Sequence, residues 1–452
     1  VVTSPGTALA GADFSTHTQQ LTFSPGNNGP QLVRIPLVDN NRVEEDEQFS
    51  VLLSTTDSDV KIINSPATVT IQDNNVATVK FQSSTYQVNE GAGQITVRLD
   101  VTGIRDVAVI ARLNTANIGA TAGSDYTSIV DKNITILPSV TVISETIAIS
   151  EDGILENNET FSVTVASRSL PHLVTAGPAV AIVTIEDNDV VSVRFSQSSY
   201  STEEELTQLN VQVIVAGQLQ RPVQLSLSTR DQSATQGNDY QQNTVSLTFN
   251  PGDPQERNVP IQILEDTLIE NTETLSVELT TTDTDIVFSN GNTASIIITD
   301  DDVASVYIPN DAYSYNEHDG TANIPVILQG NLAIPVTARW STQHNTATWP
   351  SDFTVITNRD IVFRPGEPAL QQLQVNILDD DVVESTEQFS VVLNTQDAKV
   401  TIGTHGTATV SIIDNDQLRV NFSSSRYEAD EDSGFALVGL VLHDVLETTT
   451  SV

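Results

Sequence analysis

Four times along the 452-residue chain the same pair of acidic clusters recurs. The first cluster is an acidic pair followed by Glu-x-x-Glu: Asp39-Asn40 with Glu44 and Glu47, Glu151-Asp152 with Glu156 and Glu159, Glu265-Asp266 with Glu270 and Glu273, and Asp379-Asp380 with Glu384 and Glu387. The second cluster follows about thirty residues later, as Asp73-Asn74-Asn75, Asp187-Asn188-Asp189, Asp300-Asp301-Asp302 and Asp414-Asn415-Asp416. Two single acids keep step with them. Asp13, Asp125, Asp239 and Asp352 each precede Phe or Tyr, and Glu90, Glu204, Glu317 and Glu431 each lie four residues after a Tyr. So many carboxylates brought together would repel one another and raise one another's pKa values. A hard divalent cation removes that strain, and Ca²⁺ takes six to eight oxygens, mostly carboxylate and carbonyl. Taken singly, each motif reads as ordinary turn chemistry, since Asp, Asn and Glu favour turns. Four motifs recurring together in each repeat favour the cation, with about two to four ions per repeat. The pattern is not an EF-hand, because no Asp-x-Asp-x-Asp-Gly-x₅-Glu loop occurs.

The elements that must position these acids follow from the spacing. The first Glu stands at 44, 156, 270 and 384, a period near 114, which is an ordinary domain size and marks one structural unit per repeat. Full repeats are expected over 76–189, 190–302 and 303–416, with 1–75 the later part of a repeat and 417–452 the start of a fifth. Within a repeat the apolar period is two: Ile95, Val97, Leu99 and Val101 alternate with polar residues, as do Val211, Val213 and Val215. That alternation, rich in Val, Ile and Thr, predicts half-buried strands. In the second repeat, seven are expected, at 77–88 (irregular in the middle), 94–101, 107–113, 133–137, 143–149, 160–166 and 179–186. Seven short antiparallel strands predict an all-β fold of tandem immunoglobulin-like sandwiches. With strands running alternately up and down, the loops holding Glu90, Asp125 and Glu151–Glu159 share one pole with the end of the last strand, at Asp187. All four acidic elements meet where the next repeat attaches. No Gly/Ser or Pro linker separates repeats, which favours a stiff rod over beads on a string.

Composition narrows the function classes. The chain has 59 acidic and 19 basic residues, a formal net charge of -40, with more than half of the acids in the recurring motifs. Such a polyanion repels nucleic acid and anionic membrane and attracts cations. No apolar run reaches the ~18–20 residues that span a bilayer, so direct membrane insertion is not expected. Cysteine is absent, which excludes disulfides, thiolate metal sites and a thiol nucleophile. Methionine is absent even at residue 1, so a piece of a longer chain is expected. Paired carboxylates also serve glycoside hydrolysis, but here they recur at every junction rather than once in a cleft. No Ser-His-Asp arrangement, phosphate loop or dinucleotide fingerprint appears, so no enzyme is expected.

These residues resemble the Calx-beta module. Its pattern of Gly-x-Asp-Tyr, a Pro-Gly turn, Ile-x-Asp-Asp-x-x-x-Glu-x-x-Glu-x-Phe and a closing acidic tripeptide is carried by Gly237–Tyr240, Pro251-Gly252, Ile263–Leu275 and Ile298–Asp302. The resemblance implies an immunoglobulin-like sandwich that binds Ca²⁺ through the same acids. In the first repeat Asn40 and Asn74-Asn75 replace acids, so that site is expected to be the weakest. Glu151 and Glu265 replace the first Asp of the pair, a change of geometry rather than of presence. The Thr/Val-rich array is also similar to the core proteins of sponge aggregation factors, and bacterial surface adhesins use the same module. The implied role is an extracellular adhesive or structural array stiffened by Ca²⁺ at its junctions. The alternative is a calcium-sensing regulatory segment of a membrane transporter. Implied partners are calcium, neighbouring modules of the same chain or other copies of it, and glycans at the sequons of Asn133, Asn158 and Asn421.

Two lesser features remain. Asp57-Ser58-Asp59 and Asp283-Thr284-Asp285 fall at the opposite pole and read as turns, with completion of the preceding module's cation shell as the alternative. Trp340 and Trp349 are expected in a core.

Overall fold

The computed structural model describes residues 1–446, and its regular structure is strand, with three single-turn 3₁₀ segments. The second repeat serves as the type. Its strands are β1 (Ala77–Phe81), β2 (Thr85–Asn89), β3 (Gln94–Thr102), β4 (Val109–Asn117), β5 (Lys132–Ile136), β6 (Val142–Ala148), β7 (Glu159–Ser167), β8 (Leu173–Thr175) and β9 (Val180–Glu186). They form two facing sheets, β6-β3-β1-β8 and β5-β4-β7-β9-β2. Alternation does the sorting: Ile95, Val97, Leu99 and Val101 on β3, and Phe161, Val163 and Val165 on β7, are all buried in one core. Their neighbours along each strand face outward, so one register satisfies every apolar residue.

Nine segments replace the seven expected. The first strand divides after Phe81: β1 pairs with β3, and β2 crosses to the other sheet and runs parallel to β9. The last strand forms undivided, as expected, but a short segment before it, β8, reads as loop in the sequence and lies parallel to β1. β2 and β8 each sit on a sheet edge and leave less edge open to another chain. β4 also runs four residues beyond the expected end at 113, because Asn114–Asn117 pair with Phe161–Thr164 on β7. Polar side chains hide that extension from an apolar pattern. The third and fourth repeats have the same two sheets, of four and five strands. The first contributes a three-stranded sheet of Val2–Pro5, Glu47–Leu52 and Ala67–Ile71, and beyond the fourth Val420–Phe422 pairs with Leu440–Leu442. Trp340 is buried as expected, whereas Trp349 is 52% exposed, on the turn before Asp352 rather than in the core.

A stacked aromatic pair lies beneath the acidic pole of the first, second and fourth repeats. Tyr126 and Phe161 stack at 4.0 Å, Phe353 and Phe389 at 4.5 Å, and Phe14 and Phe49 at 4.2 Å. Each ring is one or two residues from a motif acid (Asp125-Tyr126, Glu159-Thr160-Phe161), so core packing fixes where the carboxylates stand. The third repeat uses Tyr240 and Leu275 at these places, both buried.

Successive repeats interlock. Between the acidic pair and the Glu-x-x-Glu, each loop forms a two-residue segment that runs parallel to one in the next repeat. Arg42–Val43 pairs with Ile104–Arg105, Ile154–Leu155 with Gln218–Leu219, Leu268–Ile269 with Asn331–Leu332, and Val382–Val383 with Val445–Leu446. At the first three junctions the second residue of the segment enters the neighbour's core. Val43 is buried with the second repeat's core, Leu155 with the third's and Ile269 with the fourth's. These residues read as loop in the sequence; in the structure they are apolar plugs.

Candidate cation centre

Four elements deliver acids to the pole. Glu90 sits in the single 3₁₀ turn between β2 and β3, capped by Asn89, whose Oδ1 accepts from the Gly91 amide at 3.0 Å. Glu90 is buried, as are its counterparts Glu204 and Glu317. Asp125, in the β4–β5 loop, turns one carboxylate oxygen onto the Thr121 amide, and Asp13, Asp239 and Asp352 do the same to the amides of Leu9, Thr235 and Thr348. That bond closes the local turn and leaves the other oxygen for the pole. Glu156 and Glu159 come from the β6–β7 loop and the start of β7, and Asp187 and Asp189 follow β9.

The acids converge into compact groups whose oxygens lie within 4.8 Å of one another. In the second repeat these are Glu90 with Asp187 and Asp189, and Asp125 with Glu156 and Glu159. In the fourth they are Glu317 with Asp414 and Asp416, and Asp352 with Glu384 and Glu387; in the third, Asp239 with Glu270 and Glu273. Glu204 and Asp300 join that last group around one small cleft. In the first repeat Asp13, Asp39, Glu44, Glu47 and Asp73 line a cleft of about 250 Å³ together with Asn40, Asn74 and Asn75. The acidic pairs rim these groups: Asp39, Glu151, Asp152, Glu265, Asp266, Asp379 and Asp380 are exposed, as is Asp301, while Asp302 is half-buried, and the charges of Asp152 and Glu151 act on Glu90 as those of Asp266 and Glu265 act on Glu204. Turn chemistry accounts for the second member of each pair. Oδ1 of Asp152, Asp266 and Asp380 accepts from the amide two residues on, at 2.8, 2.6 and 2.7 Å, and Asn40 does the same at 2.7 Å. This turn forms the base of the plug-bearing loop. Glu431 is exposed on its own 3₁₀ turn.

Electrostatically the groups are in tension. Burial, and then the neighbouring acids, push Glu90, Glu156, Glu204 and Glu317 up to about 7. Burial also raises Asp187 and Asp189, above the ordinary Asp range. Several oxygens are buried with no hydrogen-bond partner: both of Asp187, one of Asp189, Oδ1 of Asp300, Oε2 of Glu317 and one of Asp416. A native fold rarely leaves such atoms unsatisfied. All-oxygen donor sets with orphaned buried oxygens fit Ca²⁺, which prefers carboxylate and carbonyl ligands.

Several contributors were not visible in the motifs. Asn158 Oδ1 accepts from the Asp187 amide, Asn188 Nδ2 donates to Glu151 at 3.2 Å, and Asn415 Oδ1 accepts from the His318 amide at 3.1 Å. Their regular place within the acidic motifs was the available signal. Basic groups are scarce near the acids in sequence, yet the fold brings some from the following repeat. Lys399 pairs with Asp300, and Arg221 donates from Nε to the Glu156 carbonyl at 2.9 Å. Asp283 and Asp285 do occupy a turn, and both also bind Arg221 across the junction from Glu156.

A tandem array of two-sheet sandwiches, each with clustered carboxylates at the pole that meets its successor, defines a class of acidic β-repeat. The chain belongs to the Calx-beta domain family, whose profile matches residues 1–75, 72–189, 186–302 and 299–416. It is 27% identical over 451 residues to the extracellular matrix organizing protein FRAS1 of Mus musculus, covering 93% of this chain and 11% of that protein. It is 24% identical over 462 residues to extracellular matrix protein 3 of Lytechinus variegatus, covering 95% of this chain and 15% of that protein. A shorter stretch of 127 residues is 33% identical to the sodium/calcium exchanger Calx of Drosophila melanogaster, covering 27% of this chain and 13% of that protein. The chain therefore spans a small fraction of the curated relatives it matches. Among the described residues, no helix is long and apolar enough to cross a membrane.

Proposed function

We propose that the chain is a calcium-binding segment of an extracellular structural or adhesion protein, with a mechanical rather than a catalytic role. The observation behind this reading is the placement of the carboxylate groups. In the second and third repeats they bracket the plug that enters the next repeat: Asp152 and Glu156 flank Ile154-Leu155, and Asp266 and Glu270 flank Leu268-Ile269. Glu90, Asp125, Glu156, Glu159, Asp187 and Asp189 would hold the ions of the second repeat, and their counterparts those of the others. Calcium supplies positive charge that offsets the repulsion across the pole and clamps the base of the plug-bearing loop. One angle between successive repeats is then favoured. Two relatives that align with nearly the whole chain are named as extracellular matrix proteins, which supports an extracellular setting.

Small-angle scattering of the chain with millimolar calcium and then with chelator tests the reading. The expected result is a profile of longer, narrower distance distribution with calcium; an unchanged profile counts against it. The exchanger match keeps a second reading in view, a calcium sensor within a transporter. A calcium titration separates the two, since extracellular modules work at ~0.1–1 mM and sensors at micromolar or below.

A further inference from the structure

What the following repeat presents to each acidic pole differs from one junction to the next. The position lies directly ahead of β8 and of its counterparts: His172 before Leu173–Thr175, Asp285 before Ile286–Phe288 and Lys399 before Val400–Ile402. His172 Nδ1 stands 3.2 Å from Asp73 Oδ2. Asp285 is held 2.7 Å from Arg221, and the pole it faces contains Asp187, both of whose oxygens are buried without a partner. Lys399 instead forms an ion pair with Oδ2 of Asp300, whose side chain is only 3% exposed. The third pole differs in a second way. In the second and fourth repeats the β2–β3 Glu and two acids of the closing tripeptide draw together within 4.8 Å. Among the described residues, Glu204, Asp300 and Asp302 form no such group. An ammonium already satisfies one oxygen of Asp300 there. The inner group of Asp239, Glu270 and Glu273 remains compact.

We propose that Lys399 is the resident counter-ion of the third junction, supplying from the fourth repeat the positive charge that Asp300 would otherwise draw from a bound divalent ion. The inference rests on the calcium reading only for what Lys399 stands in for; the ion pair spans two repeats whether or not calcium binds. An ion pair between a buried carboxylate and a half-buried ammonium resists removal of either partner, because the remaining charge is left uncompensated. The third junction therefore holds its angle when calcium is withdrawn, and its pole takes up fewer ions than the second or fourth.

The absence of cysteine from the chain makes the test clean. Spin labels on Asn258→Cys and Gln372→Cys report the third junction, and labels on Thr96→Cys and Asn258→Cys report the second, by double electron–electron resonance on the whole chain. In excess chelator the third-junction distance distribution is expected to be narrow. Lys399→Gln should roughly double its width, because the Ile269 plug then holds the junction alone and motion between domains is the default where few contacts fix the angle. Lys399→Arg should keep it narrow, and neither variant should alter the second-junction pair. Equal widths for the parent and Lys399→Gln in chelator would overturn the inference. Adding calcium chloride to Lys399→Gln should narrow the distribution again. Failure of that step alone, with the chelator contrast intact, sinks the calcium reading and leaves the role of Lys399 standing.

Discussion

Ile269 of the third repeat reaches so far into the fourth that its Cδ1 lies 3.2 Å from where a Cβ on Gly330 would stand. Gly330 has φ near +143°, a conformation that side chains rarely adopt, and Ala304 closes the same space from the other side. Ile269→Ala removes a buried branched side chain from that core, at a cost of about 2–4 kcal/mol. Gly330→Ala adds strain and a close contact at the same spot. Both should lower the stability of the fourth repeat with little effect on the second. Trp340 and Trp349 are the only tryptophans of the chain and both lie in the fourth repeat, so urea unfolding followed by tryptophan fluorescence isolates the effect. An unchanged midpoint for Ile269→Ala would mean that the plug contributes nothing.

The acids at the pole make a signed prediction for pH. Glu90, Glu204 and Glu317 are buried and their pKa values stand at about 7, above the ordinary glutamate range. A carboxyl group raised on folding favours the native state while it is protonated, and that advantage is lost as pH rises through its folded pKa. Without divalent ions the chain should therefore lose stability from about pH 4.5 to 7. Millimolar calcium should flatten or reverse this trend, because it stabilises the ionised form. Calorimetry at pH 5 and pH 7.5, with and without chelator, measures it; equal melting temperatures in chelator would refute it.

Glu273→Gln should act with opposite signs in the two states. It leaves the side chain nearly isosteric but removes one negative charge from the Asp239–Glu270–Glu273 group. Relief of repulsion should raise the melting temperature of the chelated protein. Loss of a charged ligand should weaken calcium at that pole by roughly tenfold or more, the scale on which perturbed metal sites respond. Melting curves with and without calcium read both. A change of the same sign in the two conditions would point to a packing role instead.

In the first repeat amides replace acids, which lowers the charge of the site and fills part of it with hydrogen bonds. Asn40 Nδ2 donates to Glu44 Oε2 at 3.0 Å, and Asn75 Nδ2 donates to the Asn40 carbonyl at 3.0 Å. Calcium should bind there last, if at all. Asn40→Asp keeps the turn, because the oxygen that accepts from the Arg42 amide is retained, and adds a charge facing Glu44. Equilibrium dialysis should then show tighter calcium binding in the weakest class of sites, and no change would remove the first repeat from the calcium-binding set.

Much of this was legible in the residues, for identifiable reasons. Strand β3 could be read because Ile95, Val97, Leu99 and Val101 alternate strictly and one face is buried. The polar convergence could be read because strand direction alternates, so that Glu90, Asp125, Glu156 and Asp187 fall at one end. The plugs could not. Val43, Leu155 and Ile269 are apolar residues inside acidic loops, and their partners lie in another repeat with its own local pattern. Lys399 stands 99 residues from Asp300, and sequence proximity carries no trace of that contact. The split of the first strand was legible only as an irregular middle, because Gln82–Ser84 interrupts the alternation without any strong turn signal, and the crossing to the other sheet was not.

Leu155 belongs to the second repeat by descent and to the third by packing. Stability must then pass along the array, since melting one unit opens a hole in the next. Repeats of this kind are not freely interchangeable bricks. A shuffled array would fit only where the side chain lent by one unit matches the socket beyond it, so Val43, Leu155 and Ile269 act as keys that fix the order of the units.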